Sequence, residues 1–266
     1  MAKIIAITNQ KGGVGKTTTS INLSASLAAT KRRVLLVDLD PQGNATMGSG
    51  VDKSALEASS CELLLGESPI QEVIVKTEHA GYNLIPANAD VTAAEVGLMD
   101  MPGRELQLKK ALAEVEQDYD FILIDCPPSL NMLTVNALVA AGSVIIPMQC
   151  EYYALEGLTA LLGTIDQIRV ASNPELHIEG LLRTMFDARN NLANDVSDQL
   201  TSFFGDKLYR TVVPRNIRLA EAPSHGLPVI IYDKACAGTV AYLALAGEIL
   251  RKEQQVEVPQ GKVQAI

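Results

Sequence analysis

The sequence predicts an α/β fold of three layers, in which a mostly parallel, twisted sheet is flanked by helices. Short apolar runs typical of buried strands alternate with longer amphipathic runs typical of helices. A glycine-rich stretch joins the first strand to the first helix. Aromatic residues make up 4% of the 266 residues and hydrophobic residues 47%. The core must therefore be built from Ala, Val, Ile and Leu, which suits helices packed on a parallel sheet.

The predicted elements alternate in order along the chain. Buried strands are predicted from continuous apolar runs that end in turn residues, at 4–7, 33–38, 82–86, 120–125, 143–148, 176–185, 210–214 and 227–232. Helices are predicted from apolar positions three and four apart, at 19–29, 61–65, 105–115, 134–141, 154–171, 191–204 and 235–252. This order implies right-handed crossovers. We expect one domain over residues 1–253 and a mobile tail at 254–266.

The glycine-rich stretch is KGGVGKTT at residues 11–18. Its three glycines let the backbone turn tightly and aim several N–H groups at one point, and the following helix adds the positive end of its dipole. Lys16 adds a full charge, and the Thr17 hydroxyl suits a Mg²⁺ ion. The match to G-x-x-x-x-G-K-[ST] is imperfect, because Gln10 stands at the first glycine position and Lys11 precedes the glycines. Between a strand and a helix, the stretch indicates a nucleoside triphosphate site rather than a plain turn.

Aspartates follow two other predicted strands. Asp125 ends an apolar run, as in a Walker B strand that holds a carboxylate near Mg²⁺, while a turn cap is the alternative. Asp38 and Asp40 follow the second strand, where one carboxylate could polarise the attacking water and the other could hold a Mg²⁺-bound water. The alternative for both is an ordinary Asx turn before Pro41. Ligands of such folds bind outside the carboxyl ends of the strands, so we expect these groups to converge.

Composition and charge argue against several classes of protein. No apolar run reaches the roughly 18 residues that span a bilayer, and the chain enters a strand without a signal peptide, so we expect a cytoplasmic protein. The four cysteines and three histidines are scattered, which disfavours a disulfide framework or a metal cluster. The net charge of −9 argues against a generally basic surface but permits a local basic patch.

One such patch is predicted in segment 207–218. Four basic residues and no acidic residue occur there: Lys207, Arg210, Arg215 and Arg218. Lys and Arg contact backbone phosphates without sequence preference, so the segment indicates non-specific DNA binding, to which Arg189 could add. Solvated or ion-paired surface charges are the alternative.

Four motifs together resemble the ParA/Soj family of DNA-partition ATPases, within the deviant Walker A group of P-loop NTPases that includes MinD. They are KGGVGKTT at 11–18, DLDPQGN at 38–44, IDCPPS at 124–129 and PRNIRLAEAPSHG at 214–226. The resemblance runs in order over nearly all of residues 1–253. The first strand begins at Lys3, so we expect neither the helix-turn-helix domain of the larger plasmid-type members nor operator binding.

The resemblance implies roles for individual residues. Lys11 matches the signature lysine that reaches across an ATP-bound dimer to the partner's nucleotide. Asp40 matches the carboxylate that activates water, and Asp125 the Walker B acid. The residues matched to ATP and Mg²⁺ are Lys11, Gly12, Gly13, Val14, Gly15, Lys16, Thr17 and Thr18. The adenine contacts are placed near Pro214, Asn216 and Met185.

The resemblance also implies a cycle. ATP brings two subunits together, the homodimer binds non-specific DNA on the nucleoid, and a ParB/Spo0J-type partner stimulates slow hydrolysis and releases the DNA. A MinD-like ATPase that cycles on membranes is the alternative, but it needs a basic amphipathic C-terminal helix. The tail at 256–266 has little charge and contains Pro259, so no membrane partner is expected. A metabolic ATP-dependent ligase or a redox protein is a third possibility, and the redox protein needs paired cysteines.

Overall fold

The computed structural model describes residues 1–152 and 154–257, and within these two ranges eight strands form a single sheet. They are β1 Lys3–Ile7, β2 Val34–Asp38, β3 Val75–Lys76, β4 Asn83–Ile85, β5 Phe121–Asp125, β6 Ser143–Met148, β7 His177–Phe186 and β8 Leu208–Pro214. Their order across the sheet is β3-β4-β2-β5-β1-β6-β7-β8. Every neighbouring pair is parallel except β3 and β4, which are antiparallel. Strand β1 thus lies between β5 and β6 near the middle of the sheet.

Helices cover both faces of this sheet. They are α1 Lys16–Ala29, α2 Asn44–Gly48, α3 Ser60–Leu65, α4 Ile70–Val73, α5 Val91–Gly97, α6 Gln107–Ala113, α7 Met132–Ala140, α8 Ala154–Ala171, α9 Asn191–Phe204, α10 Ile217–Glu221, α11 Val229–Tyr232 and α12 Ala237–Glu257. Among the described residues, no helix has both the length and the apolar character that crossing a bilayer requires.

Two apolar clusters lie on opposite faces of the sheet. Successive residues of a strand point to opposite faces, so Leu35 and Val37 enter the cluster under α3 and α5–α9. Val34 and Leu36 enter the other cluster, under α1, α11 and α12. The strands β2 and β5 are buried along their whole length, as the continuous apolar runs predicted. The predicted three-layer, mostly parallel architecture is confirmed.

One predicted strand is wrong. Segment 227–232 forms a helical turn, α11, instead of a strand. A short apolar run between turn residues fits either state by periodicity alone. Pro228 starts the turn, and the Val229 N–H donates to Asn22 Oδ1 of α1 at 2.7 Å, so the segment packs over α1 instead of pairing with a strand.

The last helix also differs from its prediction. It runs to Glu257, so the first four residues of the predicted tail are helical, and residues 258–266 lie outside the described part of the chain. Several short elements that the sequence analysis did not predict are α2, α4, α5, α10 and β3. Each has seven residues or fewer, too few for the hydrophobic period to show clearly.

Candidate nucleotide-binding site

Three neighbouring strands bring the predicted site residues to one edge of the sheet. In the sheet register, Asp125 at the end of β5 lies beside Ile7 of β1 on one side and Asp38 of β2 on the other. Loop 8–15 leaves β1 at this edge, and loop 39–43 leaves β2 there. The structure therefore brings together the glycine-rich loop and all three aspartates.

The glycine-rich loop turns through two left-handed residues. Gly13 has φ +75° and Gly15 has φ +87°, a region that residues with a Cβ rarely adopt. Helix α1 begins directly after Gly15, with no side chain capping its first N–H groups. These donors and the helix dipole therefore point towards the mouth of the loop, which is the arrangement that binds phosphate.

The back of the loop is held by two side chains that the sequence analysis missed. The Thr184 hydroxyl, from β7, donates to the Val14 carbonyl at 2.7 Å and lies 3.1 Å from the Met148 carbonyl. Asn9 donates to the Pro147 carbonyl at 2.8 Å and accepts from the Lys11 N–H at 3.0 Å. No spacing in the sequence marks either contact, because each depends on the strand order.

Lys16 lies almost buried at the centre of this edge. Its side chain folds under the loop, and Nζ donates to the Lys11 carbonyl at 3.3 Å. Burial lowers the pKa of Lys16, and the nearby carboxylates of Asp125 and Asp40 act against that shift. A buried ammonium group without a carboxylate in direct contact is well placed for an anionic ligand.

Asp125 accepts two hydroxyl hydrogen bonds from α1. Thr17 Oγ1 and Ser20 Oγ each donate to it at 2.8 Å. Burial raises the pKa of the Asp125 carboxyl, and the neighbouring Asp38 raises it further. Ser20 was missed by the sequence analysis, although its position three residues after Thr17 places both hydroxyls on one face of the helix.

Asp38 and Asp40 have different surroundings. Asp38 is fully buried, and its carboxylate accepts from the Thr46 N–H and Thr46 Oγ1, both at 2.8 Å, and from the Asp40 N–H at 3.1 Å. These bonds engage one oxygen with the loop after β2 and the other with Thr46 of α2, so the structure favours a role in holding the loop and α2 over direct metal contact. Asp40 is 8% exposed, and its Oδ1 accepts from the Gln42 N–H at 3.0 Å. Its Oδ2 accepts no hydrogen bond from the described residues. Of the three aspartates at this edge, Asp40 is therefore the one with a free carboxylate oxygen.

The oxygen donors of this edge fit a magnesium ion that is shared with a nucleotide. Thr17 Oγ1 and the Asp125 carboxylate are hard oxygen ligands, which Mg²⁺ prefers. In the described ranges, no three His, Cys, Asp or Glu residues are grouped so that they could hold a metal by themselves. Mg²⁺ normally keeps waters and takes phosphate oxygens, so one or two protein ligands suffice. A divalent cation would also reduce the electrostatic repulsion among the carboxylates of Asp38, Asp40 and Asp125.

The predicted adenine contacts line one cavity beside the loop. The cavity has a volume of about 350 Å³, and its walls include Gly15, Thr18, Met185, Pro214 and Asn216. Met185 has φ +48°, an uncommon backbone conformation for a residue with a Cβ, of the kind that clusters at functional sites. The Gln149 side chain donates to Met185 Sδ at 3.0 Å. The cavity is thus continuous with the phosphate loop.

The ammonium group of Lys11 has different surroundings from that of Lys16. Its ammonium group donates to the Glu151 carboxylate, and the two side chains are 41% and 51% exposed. Glu151 follows β6, the neighbour of β1 on the side opposite β5. Glu151 was not among the predicted site residues, although an acidic residue after a predicted parallel strand is a signal for one.

The predicted DNA contacts divide between the two ends of β8. Lys207 and Arg210 are exposed near its beginning, while Arg215 and Arg218 follow its end. Arg189 pairs with Asp187 at 2.7 Å, and Arg218 pairs with Glu221 at 2.8 Å and Asp233 at 3.4 Å. For these two arginines, ion pairing was the alternative, and it is present. Arg215 has no ion pair within the described residues and lines the same cavity as Asn216.

Comparison with known proteins gives consistent matches along the chain. A family model described as an AAA domain matches residues 2–178. An uncharacterized protein of Pseudomonas putida is 64% identical over 255 residues, which cover 96% of this chain and 97% of that protein. The sporulation initiation inhibitor protein Soj of Bacillus subtilis is 53% identical over 249 residues, which cover 94% of this chain and 98% of Soj.

Two solved structures show how far the likeness extends. A Mycobacterium smegmatis structure described as cobyrinic acid a,c-diamide synthase with ADP and magnesium has a TM-score of 0.84 at 38% identity and covers 97% of both chains. The septum site-determining protein MinD of Pyrococcus horikoshii with Mg-ADP has a TM-score of 0.77 at 25% identity and covers 97% of this chain and 99% of MinD. The sequence likeness to Soj is therefore greater than the likeness to either of these structures.

Proposed function

The chain belongs to the ParA/Soj family of chromosome-partitioning ATPases, and we propose that it uses ATP binding and hydrolysis to time its attachment to non-specific DNA. The observation that carries this proposal is the arrangement of the two loop lysines. Lys16 is buried under its own loop, where it can hold phosphates in cis. Lys11 is exposed at the same edge, where it can reach a second subunit.

In this proposal, each residue of the edge has a separate task. The N–H groups of residues 12–18 and the Lys16 ammonium group bind the phosphates, while Thr17 and Asp125 hold the magnesium ion, directly or through water. A magnesium ion held by these residues would neutralise charge on the phosphates during phosphoryl transfer. Asp40, with its free oxygen, orients the attacking water. Asp38 holds the loop that carries Asp40.

ATP-dependent dimerisation follows from Lys11. An exposed lysine beside a nucleotide site can add positive charge to the γ-phosphate of a facing subunit, as charges supplied in trans do in other NTPases. The exposed basic side chains, with Arg215 nearest the adenine cavity, would then be doubled on a symmetric dimer. Each additional contact with a DNA phosphate strengthens binding. The dimer, with twice as many contacts, would therefore bind DNA, and the monomer would dissociate from it. A ParB-type partner would speed ATP hydrolysis and so determine when the protein dissociates from DNA. This cycle would take place on the nucleoid in the cytoplasm.

Two other functions have some support and separate tests. The MinD likeness at 25% identity raises a membrane-cycling role, which pelleting with anionic liposomes and ATP would reveal. The 38% likeness to the M. smegmatis structure raises diamide synthase activity on cobyrinic acid, which a direct assay would reveal. The 53% identity to Soj favours partition over both. A redox role is a third alternative, and iron analysis of the purified protein is its test. The four cysteines form no disulfide with one another.

The proposal is tested by DNA binding in different nucleotide states. Binding of a non-specific duplex is measured with ATP, ADP, a slowly hydrolysed ATP analogue and no nucleotide, at several salt concentrations. We expect tight, salt-sensitive binding with ATP and the analogue, and at least tenfold weaker binding with ADP. Equal affinity in all four states would falsify the coupling of nucleotide to DNA.

A further inference from the structure

The two loop lysines are associated with carboxylates from different neighbouring strands. Strand β1 lies between β5 and β6, so its loop has Asp125 on one side and Glu151 on the other. The charge of Asp125 raises the pKa of the buried Lys16 without a direct contact. The Asp125 oxygens instead accept hydrogen bonds from Thr17 and Ser20. Glu151 contacts the exposed Lys11 directly. The sheet order therefore gives the exposed lysine an ion-pair partner within its own subunit.

Two further contacts hold Lys11 in this position. Its N–H donates to Asn9 Oδ1 at 3.0 Å, and its carbonyl accepts from Lys16 Nζ at 3.3 Å. The Lys11 backbone is thus fixed on both sides, and the side chain extends towards the loop after β6. A lysine held in this way is not available to a second subunit until the pair with Glu151 opens.

We propose that Glu151 is a positioning residue that holds Lys11 within its own subunit and so opposes dimer formation until ATP is bound. The inference rests on the proposed function, in which Lys11 reaches the nucleotide of a partner. Lys16 is linked to the position of Lys11, because its ammonium group donates to the Lys11 carbonyl and a bound phosphate would compete for that group. Phosphate binding by Lys16 would remove that hydrogen bond and free the Lys11 backbone to move.

The exposure of the pair limits the strength of this effect. Both side chains remain about half exposed, and exposed ion pairs contribute little and are weakened by salt. Opening the pair should therefore change the dimer equilibrium by about two- to fivefold and not by orders of magnitude. A contact of this strength makes dimerisation depend on ATP without blocking it.

The first test measures the accessibility of Lys11 in the nucleotide-free protein. The full chain is labelled with an amine-reactive acylating reagent at low salt, and the rate at Lys11 is read by mass spectrometry relative to the exposed Lys76. We expect Glu151→Gln to raise the relative rate at least twofold and Glu156→Gln to leave it unchanged. Glu156 is a matched control, because it is exposed nearby on α8 and has no lysine partner among the described residues. An unchanged rate in Glu151→Gln overturns the proposal.

The second test measures dimerisation with ATP by sedimentation. Glu151→Gln should lower the monomer–dimer dissociation constant about two- to fivefold relative to wild type and to Glu156→Gln, and high salt should reduce the difference. An unchanged or higher constant contradicts the part of the proposal in which Glu151 opposes dimer formation, whatever the labelling shows. Lys11→Ala separates this failure from that of the proposed function. If Lys11→Ala dimerises as wild type does, the role of Lys11 in trans is wrong, and the labelling experiment still decides whether Glu151 holds it.

Discussion

The two loop lysines show how the fold gives the same side chain two different environments. Lys16 is desolvated beneath its own loop, whereas Lys11 remains in solvent with a carboxylate partner. The two neighbouring aspartates differ in a similar way. The oxygens of Asp38 accept hydrogen bonds from Asp40 of its own loop and from Thr46 of α2, while Asp40 keeps one oxygen without a hydrogen bond from the described residues.

At Asp40 we predict a separation of binding from turnover. The Asp40→Ala variant should bind ATP and dimerise as wild type does, because the phosphate donors lie in residues 12–18. Its ATP turnover should fall about 10²-fold or more, since it lacks the group that orients water. Phosphate release and nucleotide titration measure the two properties. The exposed Asp118, at the opposite end of β5, supplies the control Asp118→Ala, and unchanged turnover in Asp40→Ala would remove Asp40 from the mechanism.

At the scale of elements, the carboxyl ends of β2 and β5 place two buried carboxylates side by side. Asp38 and Asp125 are register partners, and burial is the main cause that raises the pKa of each carboxyl. The charge of Asp40 raises the pKa of Asp38 further, and the charge of Asp38 raises that of Asp125 further. Both groups therefore bind protons more tightly in the folded chain than in the unfolded chain. The stability gained in this way is present below the ordinary carboxyl pKa and is lost as pH rises through the raised values.

This pair predicts the pH dependence of the nucleotide-free protein. Its free energy of unfolding should fall by about 1 kcal/mol or more between about pH 4 and neutral pH, since one pKa unit corresponds to about 1.4 kcal/mol. In the Asp125→Asn variant, the free energy of unfolding should decrease much less over this pH range. The pKa of His177 is also raised, but its smaller effect is the same in both proteins and cancels when they are compared. Urea unfolding at several pH values measures it. Equal slopes in wild type and Asp125→Asn would show that the pair does not titrate in this window.

At the scale of the molecule, positive charge is distributed unevenly over a chain of net charge −9. Strand β8 is one edge of the sheet, and the basic residues lie at both of its ends. Ion pairs already engage Arg189 and Arg218. Arg215 is exposed, has no such pair in the described part of the chain, and borders the adenine cavity. It is therefore the basic side chain at which the proposed DNA contact would lie nearest to the proposed nucleotide site.

We predict that Arg215→Ala weakens DNA binding in the ATP state without changing ATP affinity greatly. Each lost phosphate contact should reduce the slope of log affinity against log salt by about 0.9, and a dimer loses two. Titration of a fluorescent duplex at several salt concentrations gives this slope. The control Lys76→Ala removes an exposed charge from β3, the opposite edge of the sheet, and should have no effect. The same slope in Arg215→Ala as in wild type would exclude a phosphate contact.

Much of the candidate site could be predicted because it lies in short continuous stretches. The loop at 11–18 and the aspartates after β2 and β5 follow strands whose apolar runs are evident in the sequence. Parallel strands place such residues at one edge, so their convergence followed from the fold class alone. The family membership also followed from these stretches, since their motifs are specific.

Only the tertiary structure decided which residues lie next to one another across strands. Glu151 and Thr184 contact the loop, and Asn9 of the loop contacts Pro147, because β6 and β7 follow β1 in the sheet, an order that no local period encodes. Segment 227–232 became a helical turn because Asn22 of α1 bonds its backbone. The sequence by itself determined the strand–loop–helix unit, its phosphate-binding chemistry and the layered fold, because these depend on backbone conformation and hydrophobic period. The ion pair of Lys11 and the cavity that Arg215 lines depend on strand order, and the burial of Asp38 depends on packing, and these exist only once the chain has folded.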